Sequence, residues 1–114
     1  MSWEKAIEEL RRRERLAEHM GGEEPVERQR GRGKLTVRER VAFLADPGSF
    51  HEIGKIAGKA SYGPDDELLD FTPSTSVTGR ARLEGRPVVI LADDFTVRGG
   101  ASDASIWQKM VQMI

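Results

Sequence analysis

The chain has 114 residues and a mass of 12.7 kDa, enough for one domain with a modest core. Its 18 basic and 19 acidic side chains leave a formal charge of −1, which excludes a chain-wide electrostatic claim on nucleic acid or an anionic membrane. The absence of cysteine excludes disulfides, a cysteine-ligated zinc and a thiol nucleophile within it.

Charge is concentrated at the front: residues 1–40 hold 11 basic and 9 acidic side chains, against 7 and 10 afterwards, so this part is dense in both signs rather than basic. From Ser2, placed as an N-cap, apolar residues fall at Trp3, Ile7, Leu10, Ala17 and Met20. They form one stripe of an amphipathic helix that Gly21-Gly22 stops. A helix this polar needs something to lie against, which makes it an arm packed on a domain or on another subunit. Glu4, Glu8 and Glu9 interrupt any leader-like opening, so a soluble, cytoplasmic protein is expected.

Glu23–Gly33 reads as a charged turn or a short helical piece. Thr36-Val37-Arg38-Glu39 then matches a capping box. Val37, Val41 and Leu44 follow at i, i+4 and i+7, predicting a helix to about Ala45 that Asp46-Pro47-Gly48 ends. Ser49–Ile53 starts a strand with Phe50 and Ile53 buried, and Ala57–Asp70 reads as a loop turning at Tyr62-Gly63-Pro64-Asp65. Ser76–Leu83 alternates Val77, Gly79, Ala81 and Leu83 against Thr78, Arg80 and Arg82, a half-buried strand. Glu84-Gly85 is a hairpin connection. Val88–Ala92 lacks alternation, which predicts a strand buried on both faces in mid-sheet; the apolar run Pro87–Ala92 is too short to cross a bilayer. Asp93–Val97 continues extended, Gly99-Gly100 breaks the chain, and helical spacing resumes over Ala101–Ile114 at Ile106, Met110 and Met113 or Ile114. That last helix has no stop signal, as expected of a segment cut from a longer protein.

Candidate chemistry is sparse. His19 and His51 fall on different predicted elements with no ligand spacing, so neither a metal pair nor a dyad is expected. Asp93 and Asp94 point to opposite faces of an extended backbone, which favours a strand-end hydrogen-bonding role over acid–base work. Arg28, Arg30, Arg32 and Lys34 could form a phosphate patch. Glu23, Glu24 and Glu27 offset it, and no aromatic stands nearby in sequence, so a solvated segment or subunit contact is the expectation. Val97-Arg98-Gly99-Gly100-Ala101 carries most interest. A glycine pair between strand and helix lets backbone approach a ligand and offers amides to a phosphate, with Arg98 adjacent. A tight turn explains it equally well, and both the dinucleotide fingerprint and the P-loop pattern are absent.

Two longer stretches carry a resemblance. The first runs from Gly31-Arg32-Gly33-Lys34-Leu35-Thr36-Val37-Arg38-Glu39-Arg40 into Leu44-Ala45-Asp46-Pro47-Gly48-Ser49-Phe50-His51-Glu52. The second joins Val77-Thr78-Gly79 and Gly85-Arg86-Pro87-Val88 to Asp94-Phe95-Thr96-Val97-Arg98-Gly99-Gly100. In order and spacing they resemble the N-terminal end of the carboxyltransferase β subunits of biotin-dependent acyl-CoA carboxylases, the propionyl-CoA carboxylase β type.

The resemblance implies an α/β (α+β) crotonase-like fold of ββα units wound into a superhelix, of which only the N-terminal portion is here, preceded by a helical arm. Residues 1–22 would be the arm and residues 23–114 the start of the acyl-CoA-binding N-terminal domain, cut in its first core helix. The implied reaction moves a carboxyl group from carboxybiotin to the α-carbon of an acyl-CoA. Biotin rides on a separate carrier, with none bound by this segment, and the implied partners are the biotin carboxylase or biotin carrier subunit and further copies in an oligomer. Backbone amides, rather than a side-chain nucleophile or a metal, would stabilise the enolate. Val97, Arg98, Gly99, Gly100 and Ala101 would lie near the CoA phosphates or adenine, with Arg98 on a phosphate. Ala101 replaces the serine usual after the glycine pair, and the glycine-rich oxyanion loop would follow Ile114, so the segment alone is expected to be inactive. Two alternatives stand beside this reading: a helical interaction module without catalysis, and another crotonase-superfamily enzyme such as an acyl-CoA decarboxylase.

Overall fold

The computed structural model describes residues 3–101 and 104–113, so the Ser2 cap and the Ile114 position fall outside the described residues. Three helices lead: α1 (Glu4–Glu18), α2 (Glu23–Gly31) and α3 (Val37–Leu44). Five strands follow: β1 (His51–Glu52), β2 (Gly58–Tyr62), β3 (Leu68–Pro73), β4 (Ser76–Leu83) and β5 (Arg86–Asp93). A 3-10 turn at Arg98–Gly100 and helix α4 (Ala104–Met113) complete the described chain.

The strands form two antiparallel sheets, one ordered β1-β4-β5 and the other pairing β2 with β3. Glu84 and Gly85 both take positive φ, 51° and 81°, the conformation of a two-residue hairpin turn between β4 and β5. β4 is therefore central, pairing Gly79 with Glu52 on one side and with Ile90 on the other. The core lies between one face of this sheet and the helices. Met20, Val26, Val37 and Val77 form one buried cluster, and Val41, Ala45, Ala81 and Ile90 form another. Half-buried Phe50 packs against both and joins them.

Several sequence expectations change. Ala57–Asp70 is not a loop: β2 and the start of β3 occupy it, around a turn at Gly63–Glu67 placed where the sequence puts one. Glu23–Gly31 is helical throughout. Leu44 is exposed and Ala45 takes its place in the core, while Phe50 and Ile53 are half-buried. On β4 the burial does not alternate as expected: Thr78 is wholly buried, donating its hydroxyl to the Ile53 carbonyl at 2.8 Å, and Leu83 is exposed. β5 is an edge strand rather than a doubly buried one, with Val89 51% and Leu91 50% exposed. An all-apolar run does not distinguish an open face from a second buried one. The chain also leaves the strand at Asp93 instead of continuing extended to Val97.

The arm packs by its C-terminal half. Arg12 donates to the Leu68 and Leu69 carbonyls of β3, Arg13 bonds Glu9 and the Tyr62 hydroxyl, and Lys55 meets Glu18 at 2.5 Å. Ala17 and Met20 are buried, whereas the stripe's beginning at Trp3, Ile7 and Leu10 is exposed. At the other end of the chain, Lys109 and Met113 of α4 are buried, and the Lys109 ammonium donates to the Ser76 carbonyl at 2.5 Å. Met110, expected inside, is exposed.

A hydrogen-bonded turn locks the helical front to the sheet. The Asp94 amide donates to the Thr75 carbonyl at 2.7 Å. The Asp94 carboxylate, 1% exposed, accepts from the Thr96 amide at 2.9 Å and the Thr96 hydroxyl at 2.6 Å. That hydroxyl oxygen in turn accepts the Gly21 amide at 3.0 Å. A Cβ on Gly21 would stand 1.8 Å from the Thr96 carbonyl oxygen, so only glycine permits this approach.

Two stability predictions follow from these contacts. Gly21→Ala should destabilise by about 2 kcal/mol in urea unfolding through overpacking against Thr96. Gly31→Ala, where nothing lies within 4 Å, should be neutral or stabilising; equal effects would refute the close approach. At α3 the capping box is present, with the Glu39 amide on Thr36 Oγ1 at 3.2 Å and the Thr36 amide on the Glu39 carboxylate at 2.9 Å. Thr36→Ala should cost about 1 kcal/mol. The Thr36 amide, then its side chain, hold the Glu39 carboxyl below the usual glutamate range. A depressed carboxyl contributes stability above its unfolded-state value and loses it as pH falls through its folded value. Glu39→Gln should therefore flatten the acid limb of a stability–pH curve, and an unchanged limb would count against the box.

Candidate functional site

The Asp94–Thr96 turn decides where the following residues stand. Thr96 is tied down on both its amide and its hydroxyl, so the intervening Phe95 projects to the surface, where it is 57% exposed. Val97 follows as a buried anchor. Arg98, Gly99 and Gly100 then all take positive φ, at 47°, 62° and 77°. For arginine that conformation costs of order 1 kcal/mol, and strained backbone of this kind clusters at ligand sites.

Facing this turn is α2. The sequence suggests four cations spaced by two, but helical geometry separates them. Arg28 and Arg32 are four apart, one at the last turn of α2 and one at its C-cap, and both reach the same hollow. Arg30 pairs instead with Glu39 at 3.3 Å. The result is a cleft of about 390 Å³ walled by Arg28, Gln29 and Arg32 from the front, and by Phe95, Thr96, Arg98 and Gly99 from the turn. Three guanidinium groups line it with no carboxylate among the lining residues.

Of the five residues expected at a ligand, Arg98 and Gly99 line this cleft, whereas Val97 is packed inside and Gly100 and Ala101 are not part of its wall. The Gly100 amide donates to the Val97 carbonyl at 2.9 Å and the Ala101 amide to the Arg98 carbonyl at 3.2 Å. Those two amides are spent within the turn, and the cleft presents guanidinium groups in their stead. Arg28 and Arg32 enter a site that the sequence left to solvent. The aromatic missing near the basic patch in sequence is supplied from 61 or more residues away, by Phe95. Asp94 takes the hydrogen-bonding role expected of it, and Asp93 is exposed beside it.

Other hollows differ in kind. One of about 230 Å³ shares Gln29, Phe95 and Thr96 with the cleft, but Asp93 and Asp94 there accompany Lys34 and Arg40. Another, of about 370 Å³, lies between α3 and the sheet with Val41, Ala45, Phe50 and Val77 in its walls. Its Arg38 is committed to Glu52 through two bonds of 2.7 and 3.0 Å. Both histidines are exposed, and among the described residues no group of His, Cys, Asp and Glu could hold a metal ion. Among them, too, no helix is long and apolar enough to cross a membrane.

Comparison with known proteins gives the family and the fold. The family model described as the carboxyl transferase domain matches residues 28–114, from Arg28 of the cleft onward. The mitochondrial propionyl-CoA carboxylase beta chain of Homo sapiens is 37% identical over 109 residues, 94% of this chain and 20% of that protein. The methylmalonyl-CoA carboxyltransferase 12S subunit of Propionibacterium freudenreichii subsp. shermanii is 38% identical over 109 residues, 93% of this chain and 20% of that one. A crystal structure of transcarboxylase 12S, described as a hexamer assembly with methylmalonyl-coenzyme A and methylmalonic acid bound, superposes with a TM-score of 0.79 at 34% identity. The match covers 99% of this chain and 22% of that one. The chain thus spans about a fifth of the length of these relatives, and its fold is the N-terminal portion of a crotonase-like carboxyltransferase. On a family match that takes in three-quarters of its length, this chain belongs to the carboxyl transferase domain family.

Proposed function

We propose that this chain is the acyl-CoA-binding front of a cytoplasmic carboxyltransferase that moves a carboxyl group from carboxybiotin to the α-carbon of an acyl-CoA. The observation that carries the reading is the placement of the Asp94–Gly100 segment. Phe95, Thr96, Arg98 and Gly99 of that segment, which lies inside the family match over residues 28–114, form one wall of the cationic cleft. Carboxybiotin on a separate carrier supplies the activated carboxyl group, and no residue of this chain is assigned to it. The work of these residues is binding and orientation. Arg98, held by the turn that Val97 anchors, offers a planar guanidinium to a CoA phosphate, while Gly99 leaves room for the ligand's approach. Holding the distant phosphate end fixes the thioester's position, so binding energy from the non-reacting part of the substrate serves the reacting carbon. In this reading residues 1–22 form the arm and residues 23–114 the start of the acyl-CoA domain. Further copies of the chain, together with a biotin carboxylase or biotin carrier subunit, complete the working assembly.

Carboxyl transfer to propionyl-CoA, followed in the purified protein with its carrier as formation of the carboxylated thioester, tests the reaction. Arg98→Ala should raise the acyl-CoA KM roughly tenfold with kcat little changed, the size of one lost charge-assisted phosphate contact. The 114-residue segment alone should give no turnover. An unchanged KM would remove Arg98 from the substrate site, and turnover by the isolated segment would contradict its assignment as a binding front.

A further inference from the structure

We propose that Thr96 and Asp94 are positioning residues for Arg98, and that Gly21, 75 residues from Thr96 in sequence, shares that work from the α1–α2 corner. The placing of Arg98 rests on the hydrogen bonds of its turn. What Arg98 then holds, a CoA phosphate, rests on the proposed function.

Arg98 stands in a conformation that it does not keep by itself. Its φ of 47° is strained for a residue with a side chain, whereas Gly99 and Gly100 take positive φ freely. Strained backbone of this kind persists only where the surroundings over-determine it. Two bonds close the turn from within: the Gly100 amide to the Val97 carbonyl at 2.9 Å, and the Ala101 amide to the Arg98 carbonyl at 3.2 Å. They fix its shape but not its place, because all four partners lie in Val97–Ala101. Its place is set by the residues before it. Val97 is 2% exposed, and its amide reaches the Asp94 carbonyl at 3.3 Å. Thr96 gives its amide and its hydroxyl to Asp94 Oδ1, at 2.9 and 2.6 Å, and its hydroxyl oxygen accepts the Gly21 amide at 3.0 Å.

The Thr96 hydroxyl is thus the group at which two parts of the fold meet the segment carrying Arg98. Asp94 is tied by its own amide to the Thr75 carbonyl at 2.7 Å, and Gly21 belongs to the helical front. Removing the hydroxyl leaves the buried Asp94 carboxylate short of a donor and the Gly21 amide without this acceptor. Thr96 shifts to relieve them, and Arg98, two residues on, moves with it. Thr96 itself borders the cleft, whereas Gly21 does not, so Gly21 separates positioning from direct contact.

Thr96→Val, which keeps the shape and removes the hydroxyl, tests the positioning in the purified protein with its carrier. The acyl-CoA KM should rise roughly fivefold with kcat little changed, as expected when about a fifth of the molecules keep Arg98 in place. Thr96→Ser, which keeps the hydroxyl, should behave as the unmodified protein does, and so should Thr72→Val, at an exposed position of β3. Gly21→Ala displaces Thr96 from the other side and should raise KM as well. In an Arg98→Ala background both effects should fall below about twofold, because no guanidinium is left to misplace; a merely structural role leaves them at full size. Hydrogen exchange at the Gly100 and Ala101 amides needs no turnover. It should quicken about fivefold or more in Thr96→Val and Gly21→Ala and stay unchanged in Thr96→Ser, with a thermal melt checking that each variant is folded. Unchanged exchange, or a KM effect that keeps its size beside Arg98→Ala, overturns the proposal. Should Thr96→Val not fold, Gly21→Ala decides on the same readouts. If Arg98→Ala raises KM while Thr96→Val and Gly21→Ala leave it alone, the positioning fails and the substrate reading stands. If exchange quickens while Arg98→Ala leaves KM alone, the substrate role of Arg98 fails and its positioning stands.

Discussion

Everything distinctive about this chain depends on one buried carboxylate. Asp94 is closed off from water, and its oxygen takes both donors of Thr96, while its own amide is fixed to Thr75 just before β4. A buried carboxylate is stable only when its acceptor capacity is filled, so the turn must close locally. Closing it orients the Thr96 hydroxyl to receive the Gly21 amide, and that bond ties the α1–α2 corner to the sheet. The same closure pushes Phe95 outward and sends Val97 inward. A fold constraint and a surface feature thus share one cause.

The electrostatics of the site follow from that tie. Arg28 and Arg32 are ordinary exposed cations on a helix with little apolar surface of its own, in which Val26 alone is buried. Isolated, nine such residues would not hold a helix in water. Anchored at Gly21 before it and at the Thr36 capping box after it, α2 has fixed ends, and its arginines face the turn that holds Arg98. Like charges brought to one hollow repel one another, and the Asp94 and capping-box hydrogen bonds fix the two walls that carry them.

The sequence was most legible where a local rule has one outcome. The capping box at Thr36 and Glu39, the Glu84-Gly85 hairpin and the Gly21-Gly22 stop each involve residues within a few positions, and each is found where the pattern puts it. It was least legible where burial depends on a distant partner. Lys59, Ser61 and Asp70 look like loop residues because the β2–β3 hairpin exposes most of its side chains, and its pairing is backbone hydrogen bonding that composition does not encode. Thr78 reads as an outward residue until Ile53 arrives to accept its hydroxyl. The candidate site divides the same way. Arg98 and Gly99 were found from a local turn signal. Arg28 and Arg32 needed the helix period of α2, and Phe95 needed the tertiary contact that sets it across from them. The relevant signal was present in the spacing of four between Arg28 and Arg32, masked by the equally regular spacing of two that runs through Arg30 and Lys34.

Linking the helical front to the turn by so few bonds also couples binding to stability. A ligand that spans Arg98 and the α2 arginines joins the same two units that the Gly21–Thr96 bond joins. A ligand that bound only this arrangement would add its binding free energy to the lock by mass action. The reverse holds as well: whatever loosens the α1–α2 corner lowers the fraction of molecules able to bind, and apparent affinity falls by that fraction. Trp3, at the start of the arm, is 74% exposed, and the hydrogen bonds from Arg12 and Arg13 and at Gly21 stand in the arm's second half and at its corner. The arm's inner half therefore bears on the geometry of the cleft energetically, although none of its side chains lines it.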